Sequence, residues 1–234
     1  MVKPYSESCD QNKAPILDVL RKEFAQLHAA PGLLPLAPYT DVQVSQEAGG
    51  RKRPTLVHPC TAHVLEIGSG TGQHAVYFGE HLPHLTWQTS DIVIYHAGIR
   101  AWLDEAALPN VLPPLALDVE NDPWPTVPVS PFDAVFSANT VHIMSWPQVC
   151  CMFTGIGSVL GQGGVFCLYG PFNYHGAYTS PSNARFDAWL KGRDPASGVR
   201  DFEALDALAH SAGMLLEQDY EMPANNRTLV WRKI

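Results

Sequence analysis

Apolar positions recur along this chain at two different spacings. Ile16, Leu20, Phe24 and Leu27 follow one another at helical intervals and predict a first helix with one apolar face. Its start is expected near Ala14, with Pro15 in the first turn, where a missing N–H costs nothing. The pattern then stops. From Ala29 to Thr61 there are prolines at 31, 35, 38, 54 and 59, a Gly49-Gly50 pair and the basic run Arg51-Lys52-Arg53. A structureless stretch of this length is unusual inside a compact domain, so residues 29–61 read as an inserted loop, with the basic run as a solvated turn.

After that, short apolar runs alternate with helical segments. Strands are expected at Ala62–Ile67, Leu85–Ser90, Val111–Leu117, Phe132–Ala138 and Val165–Tyr169. Helices are expected at Gln73–His81 and Tyr95–Ala107. A third helix starts after an N-cap at Ser145, with Pro147 just inside, and runs to about Leu160. The run Gly161-Gln162-Gly163-Gly164 ends it, and a last helix runs from a cap at Asp201 to Gly213. Met214–Glu221 and Thr228–Arg232 form a closing hairpin around Pro223-Ala224-Asn225-Asn226. Alternation of this kind predicts an α/β domain with a mostly parallel sheet covered on both faces. No repeat or second domain interrupts residues 1–234.

Composition narrows the class. Of 234 residues, 46% are hydrophobic and 16% charged, which suits a globular core. The net charge of −8 argues against a general phosphate-backbone binder, so no nucleic-acid partner is expected. Cys9, Cys60, Cys150, Cys151 and Cys167 include no C-x-x-C pair, and free thiols in a reducing compartment are the simplest reading. No apolar run approaches a membrane span, and Met1–Lys13 has no signal core. A cytoplasmic protein without a membrane partner is therefore expected.

The chemistry gathers after the strands. Val64-Leu65-Glu66-Ile67-Gly68-Ser69-Gly70-Thr71-Gly72 is a strand entering three alternating glycines, with a helix immediately behind it. Bare backbone there can lie against a ligand. A dinucleotide fingerprint wants its third glycine where Gln73 stands, which disfavours NAD(P). The run instead resembles the Glu-x-Gly-x-Gly-x-Gly turn of S-adenosylmethionine-dependent methyltransferases. Ligands in open α/β sheets sit beyond the carboxyl ends of the strands. Asp91, ending the second strand, suits the ribose hydroxyls, and Asp118, after the third, suits an adenine amino group. Glu66 either reaches an ammonium or orients the turn. Asn139 and His142 follow the fourth strand, beside the reacting sulfonium, with His142 as base or pocket wall. Tyr169, Asn173 and Tyr174 follow the fifth, and Asn225-Asn226 falls on the same face. Asp133 opens its strand at the far end and reads as structural. No carboxylate cluster has metal-ligand spacing, so no metal is expected.

Over most of its length outside the insert the chain resembles the methyltransferase-like protein 26 family. The matching segments include Asn12-Lys-Ala-Pro-Ile-Leu17, Val64 to Tyr77, Phe132 to Trp146, Leu168-Tyr-Gly-Pro-Phe-Asn173, Ser182-Asn-Ala-Arg-Phe-Asp187 and Met222-Pro-Ala-Asn-Asn-Arg227. The resemblance implies the class I, Rossmann-like methyltransferase fold, a seven-stranded sheet ending in an antiparallel hairpin. It implies S-adenosylmethionine on Gly68, Ser69, Gly70, Gly72, Asp91 and Asp118. It further implies that Asn12, Asn139, His142, Tyr169, Asn173, Asn183, Asp187 and Asn225 crowd around an acceptor pocket. The insert departs from the family, as does Ile92-Val93-Ile94-Tyr95, apolar where relatives tend to be polar. The expected activity is methyl transfer to a small molecule. Methylation of a protein side chain and non-catalytic cofactor binding are the alternatives.

Overall fold

The structure is a computed structural model describing residues 3–25, 27, 62–121, 123–124 and 131–234. The expected insert, with Arg51-Lys52-Arg53 and Cys60, lies outside the described residues. Along the chain come α1 (Glu7–Glu23), β1 (Ala62–Ile67), α2 (Gln73–His81), β2 (Leu85–Asp91), α3 (His96–Ala106), β3 (Val111–Ala116), β4 (Phe132–Ala138) and α4 (Trp146–Val159). They are followed by β5 (Leu160–Gly170), β6 (Phe172–Asn173), α5 (Pro181–Arg193), β7 (Arg200–Asp201), α6 (Phe202–Ser211), β8 (Met214–Met222) and β9 (Asn226–Lys233).

Seven strands form one sheet in the order β3-β2-β1-β4-β5-β9-β8. Pairing is parallel from β3 across to β5, and β9 runs antiparallel between β5 and β8. β8 therefore points the same way as β5, and the hairpin turn emerges at the carboxyl ends of the parallel strands. The order runs outward from β1 in both directions, so the ends of β1 and β4 flank the crevice where such sheets hold ligands. Pro113 and Pro114 fit because β3 is an edge strand.

Alternate side chains feed two cores. Leu65, Ile67, Val135, Phe166, Leu168 and Trp231 meet Val149, Met152, Phe153 and Ile156 of α4 and Leu205 and Ala209 of α6. Val64, Phe136, Cys167 and Val230 face the other way, toward Ile16, Leu17 and Leu20 of α1 and Ala75 and Phe78 of α2. Phe78 packs within 5.4–5.5 Å, centroid to centroid, of Phe136 and Trp87. Burying each such ring contributes roughly 1.5–3 kcal/mol, and here it fixes where α2 begins.

Five elements differ from expectation, two of them the short strands β6 and β7, which pair in a separate sheet. α1 starts at Glu7, not Ala14, and Pro15 lies well inside it. Its first turns lack an apolar stripe because they cover a polar site, where Asn12 is the buried residue. α5 was not expected at all. Its buried positions, Asn183, Asp187 and Leu190, keep helical spacing but are mostly polar. β5 begins at Leu160, so the four residues Gly161–Gly164 belong to the strand, with a register shift against β4. At α4 the expected cap is present, and Ser145 and Gln148 form a complete capping box.

Candidate functional site

The glycine turn at the end of β1 is built on left-handed backbone. Gly68, Gly70 and Gly72 have φ of 71°, 57° and 89°, a region closed to most side chains. A Cβ on Gly68 would also lie 2.6 Å from Thr140 Cγ2, and one on Gly72 would lie 3.1 Å from Ile99 Cα. The turn is held from beneath by Glu66, which accepts from Ser69 Oγ at 2.9 Å and from Trp87 Nε1 at 3.1 Å. Ser69 in turn spans to β2, donating its N–H to Ser90 O at 3.0 Å and accepting from Ser90 N at 3.2 Å. Burial raises the Glu66 carboxyl to about 7. Of its two expected roles, orienting the turn is the one these bonds carry out.

Asp91 stands beside the turn. Its Oδ2 accepts from Gly70 N at 2.7 Å and its Oδ1 from Ile92 N at 2.8 Å. Burial raises its pKa, against the pull of the two amides. Two acceptor positions are used of the roughly four a carboxylate offers. Asp118 lies in a neighbouring turn, accepting from Glu120 N at 3.1 Å, and Leu117 N donates to Asp91 O at 3.1 Å, tying the ends of β2 and β3 together. Just after Asp91, Val93 and Ile94 are 68% and 77% exposed.

A pocket of about 540 Å³ is lined in part by Asn139, the chain neighbour of the Thr140 that meets Gly68. Asn139, on left-handed backbone (φ 59°) after β4, is one wall, and its N–H donates to Tyr169 O at 2.9 Å. Asn is among the few non-glycine residues that adopt this conformation readily. Ser8, Gln11, Asn12 and Pro15 of α1 form a second wall, and Ser182, Asn183 and Phe186 of α5 a third. The hairpin turn, Pro223 to Asn226, closes the side. It is latched to α5: Asn183 Nδ2 donates to Asn225 O at 3.1 Å, and Asn225 Nδ2 to Ser182 Oγ at 3.2 Å. Burial raises the pKa of the Tyr169 hydroxyl, against the opposing pull of the nearby Asn12 and Asn226 side chains. Asn12 Oδ1 lies 2.7 Å from Nε2 of His74, a ring that burial pushes down to about 4.

The expected cofactor-side residues Glu66, Gly68, Ser69, Gly70, Gly72, Asp91 and Asp118 do not line this pocket, and neither do four expected on the acceptor side. His142 is 4% exposed and edge-on to Phe186, with centroids 5.2 Å apart, and its Nδ1 is buried without a partner among the described residues. Burial, then the charge of Arg200, lowers it to about 4. It packs against Phe186 and is not among the residues that line this pocket. Asn173 reaches Val199 O at 3.4 Å across the small β6–β7 pair. Tyr174 donates to Asp219 Oδ2 at 2.8 Å and stacks on Phe202. Asp187 accepts from Tyr178 Oη, Lys191 Nζ and Val199 N at 2.7, 2.7 and 2.8 Å, which fixes α5 to the segment before β7. These residues frame the pocket from behind. His74, Gln11 and Phe186 went unforeseen. A helix signal at Ser180-Pro181, cap then first-turn proline, would have put Phe186 on α5. For His74 the sequence carries no signal.

The profile of a family described as proteins of unknown function, DUF938, matches residues 54–233. Among solved structures, an O-methyltransferase family protein from Burkholderia thailandensis superposes with a TM-score of 0.69 at 12% identity, over 94% of this chain and 56% of that one. An O-methyltransferase family 2 protein from Planctomyces limnophilus, in complex with apigenin, gives 0.64 at 16%, over 74% and 51%. Human N-acetylserotonin methyltransferase, in complex with SAM, gives 0.60 at 16%, over 73% and 47%. The fold is thus the class I methyltransferase fold, and the chain spans about half the length of these proteins.

Proposed function

The chain belongs to the DUF938 family, and from the site it carries we propose that it is an S-adenosylmethionine-dependent methyltransferase acting on a small molecule. One observation carries the reading. Three left-handed glycines lie directly beside a carboxylate with unused acceptor capacity, and an amide-lined pocket includes Asn139, the chain neighbour of the Thr140 that packs on Gly68. The glycine backbone offers the close approach that the methionine part of such a cofactor requires, Asp91 suits its ribose hydroxyls, and Asp118 suits the adenine end. Bound there, the cofactor supplies a methyl group already activated for transfer. The chain then has to hold an acceptor in line behind that methyl and keep water out. Asn139, which lines the pocket, and Tyr169 at its floor take that role in this reading.

The SAM and apigenin complexes among the structural neighbours support the same class of cofactor and acceptor. The resemblance to the methyltransferase-like protein 26 family belongs to this reading too. A reducing intracellular compartment fits the free thiols of Cys9, Cys150, Cys151 and Cys167, and among the described residues no helix is long and apolar enough to cross a membrane. Titration calorimetry with S-adenosylmethionine tests the proposal. Binding is expected, weakened at least about tenfold by Asp91→Ala through loss of charge-assisted hydrogen bonds and comparably by Gly70→Val through backbone strain. A parent protein that does not bind the cofactor overturns the reading.

A further inference from the structure

The amides around the pocket are not free to turn. Asn183 Nδ2 donates to Thr179 Oγ1 at 2.9 Å and to Asn225 O at 3.1 Å. Asn225 Nδ2 donates to Ser182 Oγ at 3.2 Å. Asn226 Nδ2 donates to Pro223 O at 3.1 Å. The NH2 ends are thereby committed inside the protein. Among the described residues no donor meets Oδ1 of Asn183, Asn225 or Asn226. Each amide oxygen is an acceptor with two lone pairs, so the residues that line the pocket offer an occupant three carbonyl dipoles. Flat apolar lining comes from Pro15, Pro171, Phe186 and Pro223, and the other polar lining from Ser8, Gln11, Asn12, Asn139, Tyr169 and Ser182, none of them charged. No Lys, Arg, Asp or Glu is among the described lining residues. The volume of about 540 Å³ suits a molecule of one or two rings.

A rim of fixed carbonyl dipoles repels an anion and favours positive charge that develops during a reaction. Resting on the methyltransferase reading above, we propose that the methyl acceptor is an uncharged heteroaromatic nitrogen of the pyridine kind, in a small planar ring system. The ring nitrogen's lone pair attacks the methyl carbon. The N–C bond forms as the S–C bond breaks, and the electron pair of that bond stays on sulfur, leaving a neutral thioether. Positive charge passes from sulfur to the ring nitrogen, and no proton leaves. An alcohol or phenol would instead have to lose a proton. Tyr169, the titratable group among the described lining residues, is a poor acceptor for it, since burial already raises its pKa.

Three probes of one shape separate the possibilities: isoquinoline, 2-naphthol and 2-naphthoate. Each is incubated with the full chain and methyl-labelled cofactor at neutral pH. Label is expected on isoquinoline nitrogen, giving N-methylisoquinolinium. A second readout is independent of turnover. Calorimetric affinity for N-methylisoquinolinium is expected to rise roughly three- to fivefold in Asn225→Asp, the scale of one added partly exposed charge pair, with 2-naphthol affinity unmoved. Asp tolerates the left-handed backbone that Asn225 occupies. Label on naphthol or naphthoate oxygen overturns the proposal. So does failure of isoquinoline to bind, or an unchanged affinity for the cation in Asn225→Asp. If the cofactor itself does not bind, the methyltransferase reading fails. If it binds and oxygen is methylated, only the nitrogen assignment fails.

Discussion

Gln73 and Ser6 exchange two hydrogen bonds. Ser6 N donates to Gln73 Oε1 at 2.5 Å, and Gln73 Nε2 donates to Ser6 O at 3.3 Å. The side chain that stands where a dinucleotide fold has its third glycine therefore ties the entry of α1 across the start of α2. Pro4 O reinforces the tie by accepting from Trp102 Nε1 at 2.6 Å. Gln73→Ala removes both bonds at a cost of about 1–2 kcal/mol. Hydrogen exchange is expected to quicken over residues 4–12 and to stay unchanged in β4 and β5. Equal protection of the amino-terminal segment in parent and variant would show that the tie is not holding it.

Gly68 and Gly70 differ in a way that alanine substitution separates. Both need positive φ, a strain of roughly 1–2 kcal/mol for alanine. At Gly68 the added Cβ also meets Thr140 Cγ2 at 2.6 Å, whereas at Gly70 the nearest atom is 4.0 Å away. Gly68→Ala is expected to lower stability in urea by about 1–3 kcal/mol more than Gly70→Ala, on the scale of overpacking. Thr140→Ser, which removes the offending methyl, is expected to recover part of that difference. Equal losses at the two glycines would place the whole cost in the backbone.

His142 links the frame of the pocket to acid stability. Its ring stays neutral in the folded chain down to about pH 4, while an unfolded histidine takes up its proton near pH 6.5. The unfolded state therefore binds more protons between those values, and stability falls as pH drops through that window by up to about 1.4 kcal/mol per unit. His74, also lowered to about 4 by burial, adds a second contribution. His142→Leu is expected to reduce the slope of urea stability against pH between about 6.5 and 4 by roughly half. It also relieves the partnerless Nδ1 at neutral pH. An unaltered slope would mean that another group governs acid unfolding.

Much of the fold was legible because its signals are local. The apolar runs of β1, β4 and β5 and the glycines after Ile67 announce a parallel sheet and its ligand end without tertiary information. The cap at Ser145 was legible for the same reason. The first turns of α1 and the body of α5 were not, because they bury polar residues against a polar pocket and periodicity tests look for apolar ones; only the cap and proline at Ser180-Pro181 mark where α5 starts. Asn12 and Asn183 could be named from resemblance, but the helices that carry them could not be drawn. His142, Asn173, Tyr174 and Asp187 lie outside the lining of this pocket. Their chemistry suggested contact with an acceptor, whereas their bonds to Val199, Asp219, Tyr178 and Lys191 and the packing on Phe186 spend them on shaping the wall. Residue type alone does not distinguish a group facing a pocket from one a layer behind it.

Glu66 gives the opposite pH dependence to His142. Burial raises its folded pKa to about 7, while the unfolded carboxyl titrates near 4.3. An acid so raised contributes stability that is complete below the unfolded value and is lost as pH rises through the folded one. Above pH 7 the folded chain has to carry a buried anion beneath its glycine turn, held among the described residues by Ser69 Oγ and Trp87 Nε1. Glu66→Gln keeps an oxygen for both donors and removes the charge. The variant is expected to match the parent near pH 5 and to exceed it above pH 7, by on the order of 1–3 kcal/mol. Urea titrations at pH 5, 7 and 8.5 measure the difference. A constant gap across that range would mean that the carboxyl ionises at its ordinary pKa and that the turn rests on a charged support.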